Sequence, residues 1–244
     1  MRAKQPLPEN YFGAKVAARY DEDTAARPVG PVVDFLAERA RGGPALELGI
    51  GTGRIALPLS QRGVRVHGID LSAEMVEKLR EKPGGDEIEV TIGDFATTRV
   101  DGEFTLAYLV FNTINNLTTQ DAQVACFENV AAHLRPGGCF VIEVGLPDLQ
   151  RLPFAETLRP FALSETHLGF DEYDVVDQGL IAHHYNRTED GTFERWSVPF
   201  RYVWPSELDL MARIAGMKLG ERWSGWNREP FTRESTKHIS VWQK

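Results

Sequence analysis

A chain of 244 residues, 42% hydrophobic and 25% charged, suits one large domain or one domain with a sizeable insertion, and this composition excludes extended disorder beyond the first few residues. The net charge of −8 argues against a nucleic-acid backbone as partner, because phosphate binding needs a basic surface, and the acidity itself reads as plain solubility. Cys126 and Cys139 have no metal-ligating neighbour at useful spacing, the start lacks a signal-peptide stretch, and no run is long enough to span a membrane, so a soluble cytoplasmic protein without disulfide, metal or membrane contact is expected.

Pro6 and Pro8 mark a loose start. Residues 10–41 read helical, with Val16, Ala17 and Tyr20, then Val32, Val33, Phe35 and Leu36, in apolar clusters. "RPVGP" at 27–31 interrupts that pattern and "RGGP" at 41–44 ends it. Short apolar runs then alternate with helical ones. "ALEL" (45–48), "VRVHGID" (64–70), "EIEVTIGD" (87–94), "FTLAYLVF" (104–111) and "CFVIEVG" (139–145) read as strands. The fourth is apolar nearly throughout, as a strand covered on both faces must be. Ser72 suits the cap of a helix bearing Met75, Val76 and Leu79. Thr118 with Asp121 resembles a capping box opening a second helix, whose stripe is Val124, Phe127, Val130 and Leu134 and whose stop is Gly137–Gly138. Strand–helix alternation means right-handed crossovers and a parallel sheet with helices on both faces.

After Pro147 the texture changes. Residues 161–204 alternate in the strand period, with "EDG" at 189–191 as a hairpin turn, and predict an antiparallel β insertion. "PSELDLMARIAGM" (205–217) returns to helix, with Leu208, Met211, Ala212 and Ile214 on one face. Residues 218–226 and 237–244 close the chain as two strands, a hairpin on the sheet edge. The expected division is an N-terminal helical lid over 1–43, a nucleotide-binding core over 44–150, a substrate or lid insertion over 151–204, and a helix and hairpin over 205–244 that complete the core.

The strongest signal is "ELGIGTGR" (47–54), where glycines alternate after a strand. The dinucleotide spacing G-x-G-x-x-G meets Arg54 at its third position, which disfavours a nicotinamide oxidoreductase. Glu47 and the three glycines, Asp70 ending the second strand, "GDF" (93–95) ending the third, and "LRPGG" (134–138) before the fifth come in the order found in class I S-adenosylmethionine (SAM) methyltransferases. This chain resembles that family over about residues 40–145. The resemblance implies a Rossmann-like, seven-stranded, mostly parallel α/β sheet with an antiparallel β insertion after the fifth strand. It implies SAM as cofactor and S-adenosylhomocysteine as product. It places the glycine loop against the amino-acid end of the cofactor, Asp70 on both ribose hydroxyls, and Asp94 at the adenine amino group with an apolar neighbour on the ring. The cofactor-binding set so implied is Glu47, Gly49, Gly51, Gly53, Arg54, Asp70, Leu71, Met75, Gly93, Asp94, Phe95 and Val110.

"FNT" (111–113) leaving the fourth strand, "FENVAAHLRPGG" (127–138) and "AARYDEDTAA" (17–26) are similar to actinobacterial-type small-molecule methyltransferases, natural-product N-methyltransferases among them. In that group a tyrosine of the N-terminal segment folds over the cofactor. Tyr20 matches it, with an ordinary packing aromatic as the competing reading. Tyr11, Phe111, Asn112, Asn115 and Trp226 are the substrate-side candidates.

Methyl transfer from a sulfonium is an in-line displacement, so the protein must align the reactants and exclude water. A base is needed only where the nucleophile must lose a proton. His183 and His184 are neighbours on one strand and point to opposite faces. Those two and Glu143 are the candidates for a base, and Glu143 or Asp148 for binding a substrate amine; no catalytic residue stands out. His133, near a helix end, suits a cation on the dipole. The sequence thus predicts methyl transfer to a nitrogen or oxygen of a small molecule, in natural-product biosynthesis, without nucleic acid as partner. A non-catalytic SAM-fold partner protein and a methyltransferase of macromolecules remain alternatives. Association of copies through the insertion is left open.

Overall fold

The computed structural model describes residues 12–244. Three helices lead in: α1 (Ala14–Ala17), α2 (Tyr20–Thr24) and α3 (Gly30–Ala40). Pro31 sits in the first turn of α3, where a backbone N–H has no intrahelical partner to lose. Strands β1 (Ala45–Leu48), β2 (Val66–Asp70), β3 (Glu89–Ile92), β4 (Phe104–Leu109) and β5 (Leu134–Gly145) then alternate with α4 (Ala56–Ser60), α5 (Ala73–Arg80) and α6 (Gln120–His133). An antiparallel meander follows: β6 (Leu158–Leu163), β7 (His167–Asp174), β8 (Gly179–Arg187) and β9 (Phe193–Arg201). Helix α7 (Pro205–Ile214) and strands β10 (Lys218–Trp223) and β11 (Lys237–Gln243) complete the chain.

The main sheet has the order β10-β11-β5-β4-β1-β2-β3, and β6 to β9 form a second sheet in sequence order. Strands β1 to β5 pair in parallel. β11 runs antiparallel to β5 along its whole length, from Lys237 opposite Gly145 to Gln243 opposite Cys139, and β10 runs antiparallel to β11. The closing pair therefore inserts its second strand against the body of the sheet and leaves β10 as the edge. The direction of the strand order reverses between β1 and β4. In this architecture ligands sit at that point, outside the carboxyl ends of the strands. Among the described residues no helix is long and apolar enough to cross a membrane.

Strand alternation divides the core. Ala107 and Leu109 of β4, with Phe140, Ile142 and Val144 of β5, face Phe127 and Val130 of α6 and Leu208 and Met211 of α7. Leu106, Tyr108 and Val141 face the other way, onto Val33, Phe35 and Leu36 of α3 and Leu59 of α4. Burying each such side chain is worth about 1.5–3 kcal/mol. Ser72 caps α5 as expected, its Oγ accepting from the Met75 N–H at 3.1 Å.

Three local expectations need correction. The cap of α6 is Thr119, whose Oγ1 accepts from the Ala122 N–H, so the Thr118–Asp121 pairing lies one residue early. Ile214 is 63% exposed. It lies about 120° around the helix from Leu208, outside the arc that Leu208, Met211 and Ala212 bury. His133 is buried and neutral rather than a surface cation. Burial pushes its pKa down; its Nδ1 donates to the Asn129 carbonyl and its Nε2 accepts from the Val100 N–H.

His238 on β11 is fully buried, with Nδ1 2.7 Å from Ser240 Oγ and Nε2 without a partner among the described residues. Burial, with the Arg222 guanidinium beside it, pushes its pKa down to about 3. The unfolded chain binds a proton here below about pH 6.5 and the folded one does not, so stability present above that pH is lost as the pH falls towards 3. Unfolding in urea should show His238 contributing a loss of roughly 2 kcal/mol between pH 6.5 and pH 5, and His238→Asn should remove that part of the acid sensitivity. An unchanged pH slope in the variant would contradict the buried neutral imidazole.

Candidate active site

The carboxyl ends of β1, β2 and β4 converge on one crevice. β1 runs into the glycine loop, where Gly49, Gly51 and Gly53 have φ of 72°, 54° and 74°. That left-handed region favours glycine. A Cβ on Gly53 would press on the Leu79 and Leu57 side chains, so the loop packs closely on its neighbouring helices. The Asp70 carboxylate, ending β2, spans the crevice. Its Oδ2 accepts from the Gly51 N–H at 2.6 Å and its Oδ1 from the Ser72 N–H at 2.9 Å. Those bonds aim the carboxylate, and burial nevertheless pushes its pKa up. Leu71 beside it is 63% exposed, an apolar side chain left open at the mouth of the crevice.

Glu47 lies beneath the loop, 3% exposed. Its Oε2 accepts from the Tyr108 hydroxyl at 2.8 Å, and burial pushes its pKa up to about 8. At neutral pH this carboxyl is largely protonated. Met75 is buried next to Gly51, and Phe95 sinks into the core beside Gly49. Asp94, exposed at the end of β3, accepts from the Ala96 N–H, while the Gly93 N–H donates to the Asp70 carbonyl. Val110 is buried at the end of β4.

The loop after β4 is strained. Phe111 and Asn112 both have positive φ, 65° and 61°, which a bulky residue adopts only when its surroundings hold it there. The hold comes from β5. Glu143 Oε2 accepts from the Phe111 N–H at 3.2 Å, the Glu143 carbonyl accepts from the Asn112 N–H, and Asn112 Oδ1 accepts from the Gly145 N–H. Glu143 Oε1 in turn accepts from Trp226 Nε1 at 3.1 Å and Lys237 Nζ at 2.8 Å. Glu143, expected as a base or amine ligand, is thus engaged by three donors that shape the loop. Asp148 is engaged likewise, by Arg159 at 3.1 Å. Asn115 is 9% exposed, and its Oδ1 has no partner among the described residues.

The N-terminal segment closes over the loop. Asp21 on α2 accepts from Thr52 Oγ1 and pairs with Lys82, both at 2.6 Å, and Lys82 also donates to the Thr52 carbonyl. Burial opposes the Asp21 charge, but the Lys82 and Thr52 bonds win and lower its pKa. Ser72 Oγ donates to the Phe12 carbonyl. Tyr20 follows from this anchoring. Burial raises its pKa against the pull of Arg54 and Arg27, and Glu47 and Asp70 are close enough to push it further up. The Arg27 guanidinium stacks 3.8 Å above the Phe111 ring, with Arg54 at 5.3 Å. Arg27, Asp21, Lys82 and Lys237 were not foreseen from sequence, because each meets its partner only through the packing of distant segments. Tyr11 lies outside the described residues.

His183 and His184 lie elsewhere, on β8 of the second sheet. His183 lines a cleft of about 2270 Å³ between that sheet and the N-terminal segment. His184 stacks between Trp196 and His167 on the opposite face, at 3.9 and 5.2 Å, and burial pushes its pKa down to about 4. The second sheet reaches the main one through Arg201 at the end of β9. This buried guanidinium donates to Gln123 Oε1 at 2.5 Å and to Glu207 Oε1 at 2.7 Å. Gln123 bonds the carbonyls of Ile114 and Arg201, so the insertion is tied to the loop after β4.

The family model described as a methyltransferase domain matches residues 45–138. The cypemycin N-terminal methyltransferase of a Streptomyces species is 27% identical over 211 residues, covering 83% of this chain and 84% of that one. The SAM-bound amino pentose methyltransferase CalS10 of Micromonospora echinaspora shares the fold, with a TM-score of 0.67 at 19% identity over 97% and 99% of the two chains. The CcbJ methyltransferase of Streptomyces caelestis superposes with a TM-score of 0.86 at 35% identity, over 97% of this chain and 99% of that one. A glycine cradle closed by the Asp70 carboxylate, and this likeness over 97% of the chain, establish that the chain belongs to the class I SAM-dependent methyltransferases.

Proposed function

We propose that this enzyme methylates an amine nitrogen of a small molecule, in natural-product biosynthesis, and that the crevice at β1, β2 and β4 is where it does so. The observation that carries the reading is the pinned turn at Phe111 and Asn112. It holds an aromatic ring under Arg27 and Arg54, at the strand ends where the cofactor loop also opens. The cypemycin enzyme, whose name specifies an N-terminus as its target, supports nitrogen over oxygen. The net charge of −8 supports a partner other than nucleic acid.

The residues present fit SAM. Gly49, Gly51 and Gly53 leave backbone exposed to a close approach, Asp70 offers remaining lone pairs to vicinal hydroxyls, and exposed Leu71 offers an apolar surface to a ring. Bound there, SAM supplies an activated methyl group on a sulfonium. Everything else falls to the chain. Asp70, and Glu47 once it has ionised on binding, would place negative charge near the cofactor's cations, Tyr20 and α2 would cover the crevice and exclude water, and Phe111 and Trp226 would wall the acceptor side.

The test is mass spectrometry of SAM reactions with trialanine, glucosamine, proline methyl ester and tyrosol. Methylation of an amine supports the reading. Methylation of the phenol alone, or calorimetric binding of NAD but not of SAM, overturns it.

Two consequences are measurable in the binding step. Asp70→Ala removes charged acceptor bonds worth about 1.5–3 kcal/mol each, so SAM affinity should fall at least about tenfold; an unchanged Kd would reduce Asp70 to a cap for Ser72. Glu47 gives a proton signature. Its pKa near 8 in the free protein should drop when positive charge arrives, so binding at pH 7 should release close to one proton. The release should vanish at pH 9, where Glu47 is already ionised, and in Glu47→Gln. Calorimetry in buffers of different ionisation enthalpy reads it directly, and no buffer dependence at pH 7 would remove Glu47 from the cofactor site.

A further inference from the structure

Two guanidinium groups stand over the loop after β4 without a counterion. Arg27 lies 3.8 Å over the Phe111 ring and Arg54 5.3 Å over it. Neither side chain makes a hydrogen bond or ion pair with a described residue. An aromatic face attracts a cation through the ring quadrupole and offers no lone pair, so the N–H donors of both groups stay uncommitted. The carboxyls nearby are engaged elsewhere. Glu143 takes its three donors, Asp21 pairs with Lys82, and Asp70 accepts from the Gly51 and Ser72 N–H groups. Glu47 bonds Tyr108 and is largely protonated at neutral pH.

Local structure delivers Arg27 to this place. Its backbone N–H donates to the Thr24 carbonyl at 3.0 Å, and Thr24 Oγ1 donates to the Tyr20 carbonyl at 2.7 Å, which ties Arg27 to the start of α2. Asp21 fastens α2 to Thr52 and Lys82. From the other side, Glu143 and Asn112 pin the turn that carries Phe111. Burial pulls the Arg27 pKa down, against the Tyr20 hydroxyl and Glu143, and the Arg54 charge adds to the fall. Two like charges over one ring repel, and an anion between them would relieve the repulsion. The planar fork of a guanidinium matches a carboxylate. The two cations look to different sides. Arg54 follows the glycine loop, and its charge reaches Glu47 beneath that loop. Arg27 feels Glu143 on β5, the carboxylate that also binds the Trp226 indole.

We propose that Arg27, reinforced by Arg54, binds a carboxylate of the acceptor, so that the acceptor is an amino acid or a related acid with amine and carboxylate in one molecule. The inference rests on the amine reading above. Its content is specificity. A carboxylate held by Arg27 beside Phe111 anchors the acceptor at the end of β4, where the strand order reverses and the glycine loop is near. The cofactor carries a carboxylate at its own amino-acid end, and the same guanidinium chemistry would hold that one, so the experiment separates the two sources.

Acids are compared with their neutral derivatives: proline with proline methyl ester, and trialanine with trialanine amide. Calorimetry reads their binding to the SAH complex and mass spectrometry their methylation, in wild type, Arg27→Gln, Arg27→Lys and Arg54→Gln. Arg27 is exposed, so its variants should fold, and thermal melting checks all three. Hydrogen bonds to a charged group should give wild type a preference for the acid of at least about tenfold. Arg27→Gln should abolish that preference, Arg27→Lys should keep part of it, and Arg54→Gln should reduce it. Added salt should shrink the wild-type preference, because exposed charges are screened. In Arg27→Gln, SAH affinity should change far less than acid affinity. Equal binding of acid and neutral derivative by wild type overturns the carboxylate site. An Arg27→Gln variant that loses SAH affinity and keeps the acid preference also overturns it, since Arg27 then holds the carboxylate of the cofactor. A wild-type SAH complex that binds neither acid overturns it as well, and methylation of glucosamine in that case leaves the amine reading standing. Methylation of tyrosol alone overturns the amine reading and the carboxylate site with it.

Discussion

The carboxylate of Glu143 is the constraint on which the site depends. It sits at the end of β5 and takes one hydrogen bond from each of three separate parts of the chain: the Phe111 backbone after β4, the Trp226 indole in the closing loop, and Lys237 at the start of β11. Two consecutive non-glycine residues with positive φ cost of order 1–3 kcal/mol each and persist only where neighbours over-determine them. Glu143 and the Gly145–Asn112 bond supply that over-determination. The result is an aromatic ring held half-buried against the core at the point where the strand order reverses. The antiparallel placement of β11 also gains a local reason, since it brings Lys237 opposite Gly145 and within reach of Glu143.

Around that ring the electrostatics are balanced rather than one-signed. Glu47 and Asp70 are two carboxyls under or beside the glycine loop, and burial raises both pKa values. Arg27 and Arg54 stand over Phe111, and all four groups act on the Tyr20 hydroxyl. The Asp21–Lys82–Thr52 contacts hold α2 against the glycine loop.

The insertion is attached by polar chemistry. Arg201, Gln123 and Glu207 form a buried network in which each charged group is paired and hydrogen-bonded, and Gln178 adds a second bond to Glu207. A buried ion pair of this kind is weak evidence for stability, but breaking it by removing one partner is strongly unfavourable. It sets β9 against the loop after β4 and so fixes the angle of the cleft. The two faces of the second sheet then differ in character: His184 stacks with Trp196 and His167 on one, while His183 joins Glu172 and Ser197 on the other.

The sequence by itself determined the alternation of strands and helices, the β insertion, the cap at Ser72, and the cofactor family from the glycine spacing and the acidic strand ends. These are local signals: a hydrophobic period, a turn that needs glycine, a carboxylate following a strand. It also put His183 and His184 on opposite faces, since neighbours on a strand must diverge. It did not disclose that His133 is a buried neutral link, that Ile214 faces solvent, or that the Glu143 carboxylate shapes the loop after β4. Nor did it mark Arg27, Asp21 or Lys237. Each of those depends on which distant segment packs against the residue, and the meeting of Arg27 with Phe111, or of Lys237 with Glu143, joins positions 84 and 94 residues apart. Only tertiary structure decides such pairs, because a charge acquires its partner, its burial and its protonation state from the fold around it and not from its neighbours in the chain.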